Sequence, residues 1–317
     1  MITKVNSFDR QHILVVGDVM IDEYVYGRID RMSPEAPVPV VLVEGEHSVL
    51  GGAGNVVNNL AALGAKVMMA GVIGDDTNAK KLMGMLERTE NIDECLVTDP
   101  GRVTTRKARI VSRDQQVVRV DREMTYDLTE DIESYFLGLV GQIGRFDAVI
   151  ISDYGKGVVT PGVFHSIMEQ AEEANVFVAV DPNGTDYSKY RGANIITPNY
   201  REAVAASGSE NIIDAAEIIM EQAELPQLLI TRGKHGMDLH EHRDFYHIDT
   251  EAKEVFDVSG AGDTVIAAFT LAVSAGYTMK EAAYISNVAA GIVVGKMGTA
   301  TVSLVELEEE LNNKVVR

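Results

Sequence analysis

Between Lys66 and Gly233, short runs rich in β-branched residues alternate with segments whose apolar residues recur at helical spacing, and no other feature restricts the fold as tightly. KVMMAGVIG (66–74) reads as a strand and 78–88 as a helix. The order continues with helix 129–141, strand 148–153, helix 161–173, strand 176–182, strand 194–199, a helix from Tyr200, helix 212–223 and strand 227–233. Repeated βα units predict an α/β fold with a mostly parallel sheet flanked by helices, and ligands of such sheets sit beyond the carboxyl ends of the strands. Residues that end strands therefore come first. HILVVGD (12–18) is a buried strand that delivers Gly17 and Asp18 to that side.

Two stretches break the alternation. Residues 24–46 contain Pro34, Pro37 and Pro39 and then VPVVLVE (38–44), which has strand composition. Residues 102–123 read as two strands joined by a polar turn. Both are expected in a small β lid projecting from the main sheet, contributed by about 23–47 and 100–123. GGAGNVVNNLAALGA (51–65) is a glycine turn feeding a helix, with Val56, Asn59, Leu60 and Leu63 at helical spacing and Gly64 as its stop. Asn58 and Asn59 read as ordinary helix residues. The part after Gly262 reads as helices packed on one another and on the sheet, and residues 1–317 are expected to form one domain.

Charge narrows the partners. The chain has 28 basic and 48 acidic side chains, a formal net charge of −20 that repels nucleic acid and anionic lipid. Its apolar runs fall short of the ~18 residues of a membrane span, and MITKVNSFDR has no signal core. With a single cysteine, Cys95, no internal disulfide forms, so a cytoplasmic setting is expected. Cys95 reads as a small buried hydrophobe and Met68 and Met69 as core. Four of the seven histidines, His235, His240, His242 and His247, crowd one segment, where a solvated strand pair is the expectation over a metal site. Neither a G-x-x-x-x-G-K-[ST] loop nor a completed G-x-G-x-x-G is present, which counts against Walker and dinucleotide-binding enzymes.

DVSGAGDTVIAAF (257–269) places Gly260, Ala261 and Gly262 directly before Asp263 and an apolar helix. Two uses fit it. The turn can simply cap the helix, or its bare amides can form an anion site beside a carboxylate able to take a proton.

DVSGAGD and, upstream, GGAGNVVNNLAALGA, with NYRE (199–202) and TRGKHG (231–236) between them, closely resemble the ribokinase-like (PfkB) carbohydrate kinases; Ser259 stands where threonine is more usual. The resemblance covers essentially the whole chain and implies a ribokinase-like three-layer fold that uses ATP and Mg²⁺. It implies that Asp263 is the general base for a sugar hydroxyl and that the Gly260, Ala261 and Gly262 amides hold the transferring phosphoryl group. The positive end of the helix dipole is expected to keep Asp263 ionised. By the same resemblance Asp18, Asp22, Gly51, Gly52 and Asn55 bind sugar, and Asn199 and Glu202 order water around Mg²⁺. Thr231, Arg232, Gly233, Gly236 and Asn287 bind the nucleotide, and Asp257, Ser259 and Gly298 fall where many members hold K⁺.

RMSPEAPVPV (31–40), residues 106–123 and SDYGKG (152–157) are similar to a narrower branch, the D-glycero-β-D-manno-heptose 7-phosphate kinases, which phosphorylate the anomeric hydroxyl. Seven basic residues against two acidic ones between Arg102 and Arg122 leave a local excess of five positive charges, suited to a substrate with its own phosphate. Protection of an exposed edge strand is the competing explanation. Lys107 and Arg109, on one strand face by their i, i+2 spacing, and Lys156 are the candidate phosphate contacts. A homodimer through the lid is expected. Other sugars or sugar phosphates, such as ribose or a hexose phosphate, and a non-catalytic regulator remain alternatives. In the heptose branch this kinase is often fused to a nucleotidyltransferase domain; a sequence stopping at Arg317 fits a stand-alone enzyme or a piece of a longer one.

Overall fold

The computed structural model describes residues 5–113, 115–241, 244–252 and 255–315; His242 and Asp114 lie outside them. The chain opens with β1 (His12–Gly17), β2 (Val19–Met32) and β3 (Pro39–Gly52), then α1 (Ala53–Ala62), β4 (Lys66–Ile73), α2 (Thr77–Leu86) and β5 (Ile92–Thr98). It continues through β6 (Arg106–Ser112), β7 (Gln115–Arg122), α3 (Glu130–Val140), β8 (Ala148–Ser152), α4 (Pro161–Ala174) and β9 (Phe177–Asp181). Next come β10 (Ile195–Ile196), α5 (Tyr200–Ser207), α6 (Ile212–Gln222), β11 (Gln227–Thr231), β12 (Met237–Glu241) and β13 (Asp244–Ile248). Three helices, α7 (Ala261–Ser274), α8 (Met279–Val293) and α9 (Leu304–Val315), complete it.

Nine strands form the main sheet in the order β13-β12-β11-β10-β9-β8-β1-β4-β5, parallel from β11 to β5, with β12 and β13 antiparallel at one end. Alternation along β1 makes three layers. Ile13 and Val15 face a core built with α1, α7 and α8, while Leu14 and Val16 face a second core with α3, α4 and α6. Both faces being covered, the strands read as near-continuous apolar runs.

β1 lies between β4 and β8, so the chain leaves it toward β4 and later comes back on its other side. That reversal opens a crevice at the carboxyl ends of β1 and β8, where Asp18 and Asp153 stand. From Asp18 the chain passes straight into a second sheet of four strands, β3-β2-β6-β7. Its strands run longer than the expected 23–47: β2 starts at Val19 and β3 reaches Gly52, because their inner halves are buried against the main body and only the outer halves project. All of β7 is exposed.

Other differences have local causes. β5 carries no clear strand signal because it is the sheet edge, and its Asp93 and Glu94 point to solvent. The strand expected over 194–199 shrinks to Ile195–Ile196, since Pro198 has no N–H to give the ladder. His240 corrects the solvated-strand expectation: it is 6% exposed, its ring centroid 5.0 Å from that of Phe245. β13 covers β12, so His240 is not on an edge, and burial lowers its pKa. His235 and His247 are exposed. Met69 is in the first core, and Met68 and Cys95 are partly buried against the second, on the opposite face of the sheet, with burial pushing the Cys95 thiol up.

Candidate active site

Asp263 lies in the first turn of α7 and is 5% exposed. Its Oδ2 accepts the Asn55 side-chain amide at 2.7 Å and its Oδ1 accepts the Tyr154 hydroxyl at 2.7 Å. Burial pushes this carboxyl up to about 6, the two donors pulling it back, Asp22 raising it and Lys107 lowering it. A value of about 6 is compatible with the expectation that Asp263 is ionised, although burial brings it nearer to neutrality than an ordinary aspartate. At neutral pH the group is ionised yet basic enough to take a proton.

The turn before it is shaped by close approach. Gly260 has φ +78°, and a Cβ there would meet Asn55 Nδ2 at 2.5 Å. The α1–α7 contact continues as a buried polar chain: Thr264 Oγ1 donates to Asn59 Oδ1 at 3.0 Å, and Asn59 Nδ2 to Asn55 O at 2.9 Å. Asn59 is therefore not an ordinary helix residue; it ties together the two helices that hold the acid and its donor. Of the expected anion-binding amides, that of Ala261 donates to Val258 O at 3.2 Å.

Around the expected sugar side, Asp18 is committed elsewhere. Its buried carboxylate accepts the backbone N–H groups of Tyr154 (2.8 Å), Lys156 (3.0 Å) and Val158 (3.2 Å), fixing the loop after β8, although burial still raises its pKa. Asp22 pairs with Arg109 at 2.5 Å. A Cβ on Gly51 would meet Asp22 Oδ2 at 2.5 Å, so glycine lets that carboxylate lie against the backbone. Gly52, at φ +57°, precedes α1 and aims Asn55 at Asp263.

Much of the local positive charge is spent inside the fold. Arg106 pairs with Glu23 at 2.6 Å and Arg119 with Asp121 at 2.9 Å, while Arg102 donates to the carbonyls of Tyr126 and Lys156. Lys156 reaches Glu123 at 3.0 Å. Lys107 stands 5.3 Å from the Tyr154 ring centroid, and its pKa is lowered by burial and then by the charge of Lys156. A bound anion would relieve the repulsion that Lys107 feels from Lys156.

On the other side of the α7 terminus is a cavity of about 250 Å³. Thr231, Gly233, Gly236 and Asn287 line it together with Ala261 and Gly262, and Val255, Val258, Val265 and Val294 give it an apolar wall that the sequence did not single out. Gly236 has φ +78° and no room for a side chain against the Ile248 carbonyl. Asn287 donates to Asp249 O at 2.6 Å. Arg232 does not line the cavity; it pairs with Asp238 at 3.0 Å.

Asn199 and Glu202 form a capping box at the start of α5, with Asn199 N–H on Glu202 Oε2 at 2.8 Å. Burial raises the Glu202 carboxyl. Asp181, ending β9, was missed by the sequence reading, though the rule about strand ends points to it. It is pushed well up by burial and then by Asp263, Glu202 and Asp153. That surplus of negative charge suits a divalent cation which keeps water and phosphate oxygens as its main ligands. Among the described residues no group of three or more His, Cys, Asp or Glu could cage a metal by itself. Asp257 Oδ1 accepts the Ser259 N–H at 2.8 Å, and Gly298 has φ +73°.

The model of the pfkB family carbohydrate kinases matches residues 10–306. The chain is 46% identical over 309 residues to the bifunctional protein HldE of Pelobacter propionicus, covering 95% of this chain and 63% of that protein. It is 49% identical over 302 residues to that of Trichlorobacter lovleyi, covering 93% and 61%. It thus spans less than two thirds of the length of the curated relatives it matches. Among solved structures, phosphofructokinase-2 from Escherichia coli in complex with potassium superposes with a TM-score of 0.78 at 18% identity, covering 97% of this chain and 99% of that one. Arabidopsis thaliana ribokinase complexed with ribose and ATP gives 0.74 at 18% identity, covering 95% and 98%. Those likenesses show the fold, a ribokinase-like three-layer sheet with a small β lid. The chain belongs to the pfkB family of carbohydrate kinases, and that family makes ATP-dependent sugar kinase its enzyme class.

Proposed function

We propose that the chain transfers the γ-phosphoryl group of ATP to the anomeric C1 hydroxyl of D-glycero-β-D-manno-heptose 7-phosphate, giving the 1,7-bisphosphate and ADP. The observation that carries this reading is the place of Asp263: a cavity is lined by the first residues of α7, the helix that carries it, and the half-buried Lys107 lies close enough to lower its pKa. The sequence resemblance to the heptose 7-phosphate kinases supports the choice of sugar.

Asp263 accepts the proton of the C1 hydroxyl as that oxygen bonds to the γ-phosphorus and the bond to the β-phosphate oxygen breaks. Asn55 holds the carboxylate in place. The α7 terminus, with Gly260, Ala261 and Gly262, offers positive potential to the phosphoryl oxygens. The apolar wall near Asn287 accepts the adenine ring, and Thr231, Gly233 and Gly236 allow the nucleotide's close approach. Lys107 and Lys156 hold the distal phosphate, and Asp22 and Gly51 the hydroxyls. Asn199 and Glu202, with Asp181, would hold Mg²⁺ through water, the ion supplying charge neutralisation to the phosphates. Asp257, Ser259 and Gly298 are the K⁺ candidates.

The second sheet acts as a lid whose closure excludes water. Its exposed Leu42, Val43, Val118 and Val120 are where a second copy would dock. A cytoplasmic setting goes with the use of ATP. The test is ADP release measured against a panel of sugars: stimulation by the heptose 7-phosphate supports the reading, and stimulation by ribose or fructose 6-phosphate in its place overturns the substrate.

A further inference from the structure

We infer that Tyr154 is a positioning residue for the general base: its hydroxyl holds Asp263 Oδ1 and keeps that carboxylate ionised and aimed during turnover. The inference rests on the kinase reading above and deepens it.

Tyr154 is fixed from three directions. Its backbone N–H sits on Asp18 Oδ2 at 2.8 Å, its ring lies 5.3 Å from the Lys107 ammonium, and its hydroxyl donates to Asp263 Oδ1 at 2.7 Å. Since a phenol's ordinary pKa is about 10, it is a donor throughout the working range. Burial and the Asp263 charge push Tyr154 further up, which excludes it as a base and leaves it one role toward that carboxylate. Asp263 is faced by Asn55 from α1, Asp22 from β2, Lys107 from β6, Tyr154 from the loop after β8 and Asp181 from β9. Of these, Asn55 and Tyr154 give it side-chain hydrogen bonds. The loop that presents Tyr154 also carries Lys156, and Asp18 pins both through their amides. A single loop therefore connects the base with the cations proposed for the distal phosphate.

A donor to an ionised carboxylate favours the ionised form, so its loss raises the pKa of the base. Tyr154→Phe keeps the ring beneath Lys107 and removes only the donor. The acidic limb of its kcat/KM profile is expected to move up by about one pH unit, the scale of one charge-assisted hydrogen bond. At pH 6 kcat should fall about fivefold while the KM for sugar changes less than about threefold, with most of the rate regained above pH 8. Replacing Tyr154 by 3-fluorotyrosine, a more acidic phenol and stronger donor, should move the limb the other way. Opposite shifts in the two variants support the inference; an unmoved limb in both overturns it, whatever the rate. Wild-type activity on any sugar is established first, so loss of the limb shift counts against Tyr154 alone, whereas a wild type inert toward every sugar removes the kinase reading and this inference together.

Discussion

The side-chain amide of Asn55 donates to Oδ2 of Asp263 at 2.7 Å across 208 positions of sequence, joining the first turn of α1 to the first turn of α7. Both groups are buried, at 1% and 5% exposure, so neither can exchange its partner for water.

Asn55→Ala should therefore weaken both fold and activity. Leaving the carboxylate one donor short costs about 1–3 kcal/mol, and chemical denaturation should show a lower midpoint with an unchanged slope. The acidic limb of activity should also rise in pH.

Asp263→Asn should lower kcat by about 10²- to 10⁴-fold. Its effect on stability has the opposite sign. The folded pKa of Asp263, about 6, lies above the ordinary aspartate value of 3.8, so the stability linked to this group is full below about pH 4 and is lost as pH rises through 6. The Tm of the variant should equal or exceed that of the wild type at pH 8, with the difference shrinking toward pH 5. A variant that is less stable at pH 8 than at pH 5, relative to wild type, would contradict this. In the wild type the same pKa predicts an acidic limb of kcat/KM near pH 6.

Gly260→Ala should be damaging although it adds one methyl group. The position needs φ +78°, and the new Cβ would press on Asn55 Nδ2. Backbone strain of this kind costs roughly 1–3 kcal/mol, and here it would also displace the donor to Asp263. Thermal denaturation and turnover should both register it, whereas Gly262→Ala, with nothing within 4 Å of its Cβ, should be milder in stability.

Lys107→Ala and Lys156→Ala should each raise the KM for the sugar phosphate while changing the KM for ATP little. The loss should shrink at high salt, as screening weakens what the lysines supply. Equal effects on both substrates would place these lysines in a structural role.

Much of this could be read along the chain. β1, β4, β8 and β9 follow directly from apolar runs, because a parallel sheet covered on both faces leaves few polar positions to blur the signal. The turn before α7 and the turn before α1 were legible because glycine marks backbone that other residues rarely adopt. β5 was hidden by the acidic residues of an edge, and His240 by an alternation that says which residues share a face but not whether that face is covered. Tyr154 and Asp181 stood at strand ends, yet nothing local distinguishes a tyrosine beside an aspartate from one in water.

Sequence by itself determined the alternation of elements, the glycine turns and the acid at the head of α7, since each depends on backbone conformation or hydrophobic period over a few residues. Only the tertiary structure decided the electrostatics. It buried Asp263, placed Asn55 and Tyr154 on its two oxygens, spent Asp18 on a loop and most nearby arginines on carboxylates or backbone carbonyls. Charge interactions and desolvation depend on distances in space, and those distances are set by packing between segments as much as 208 residues apart.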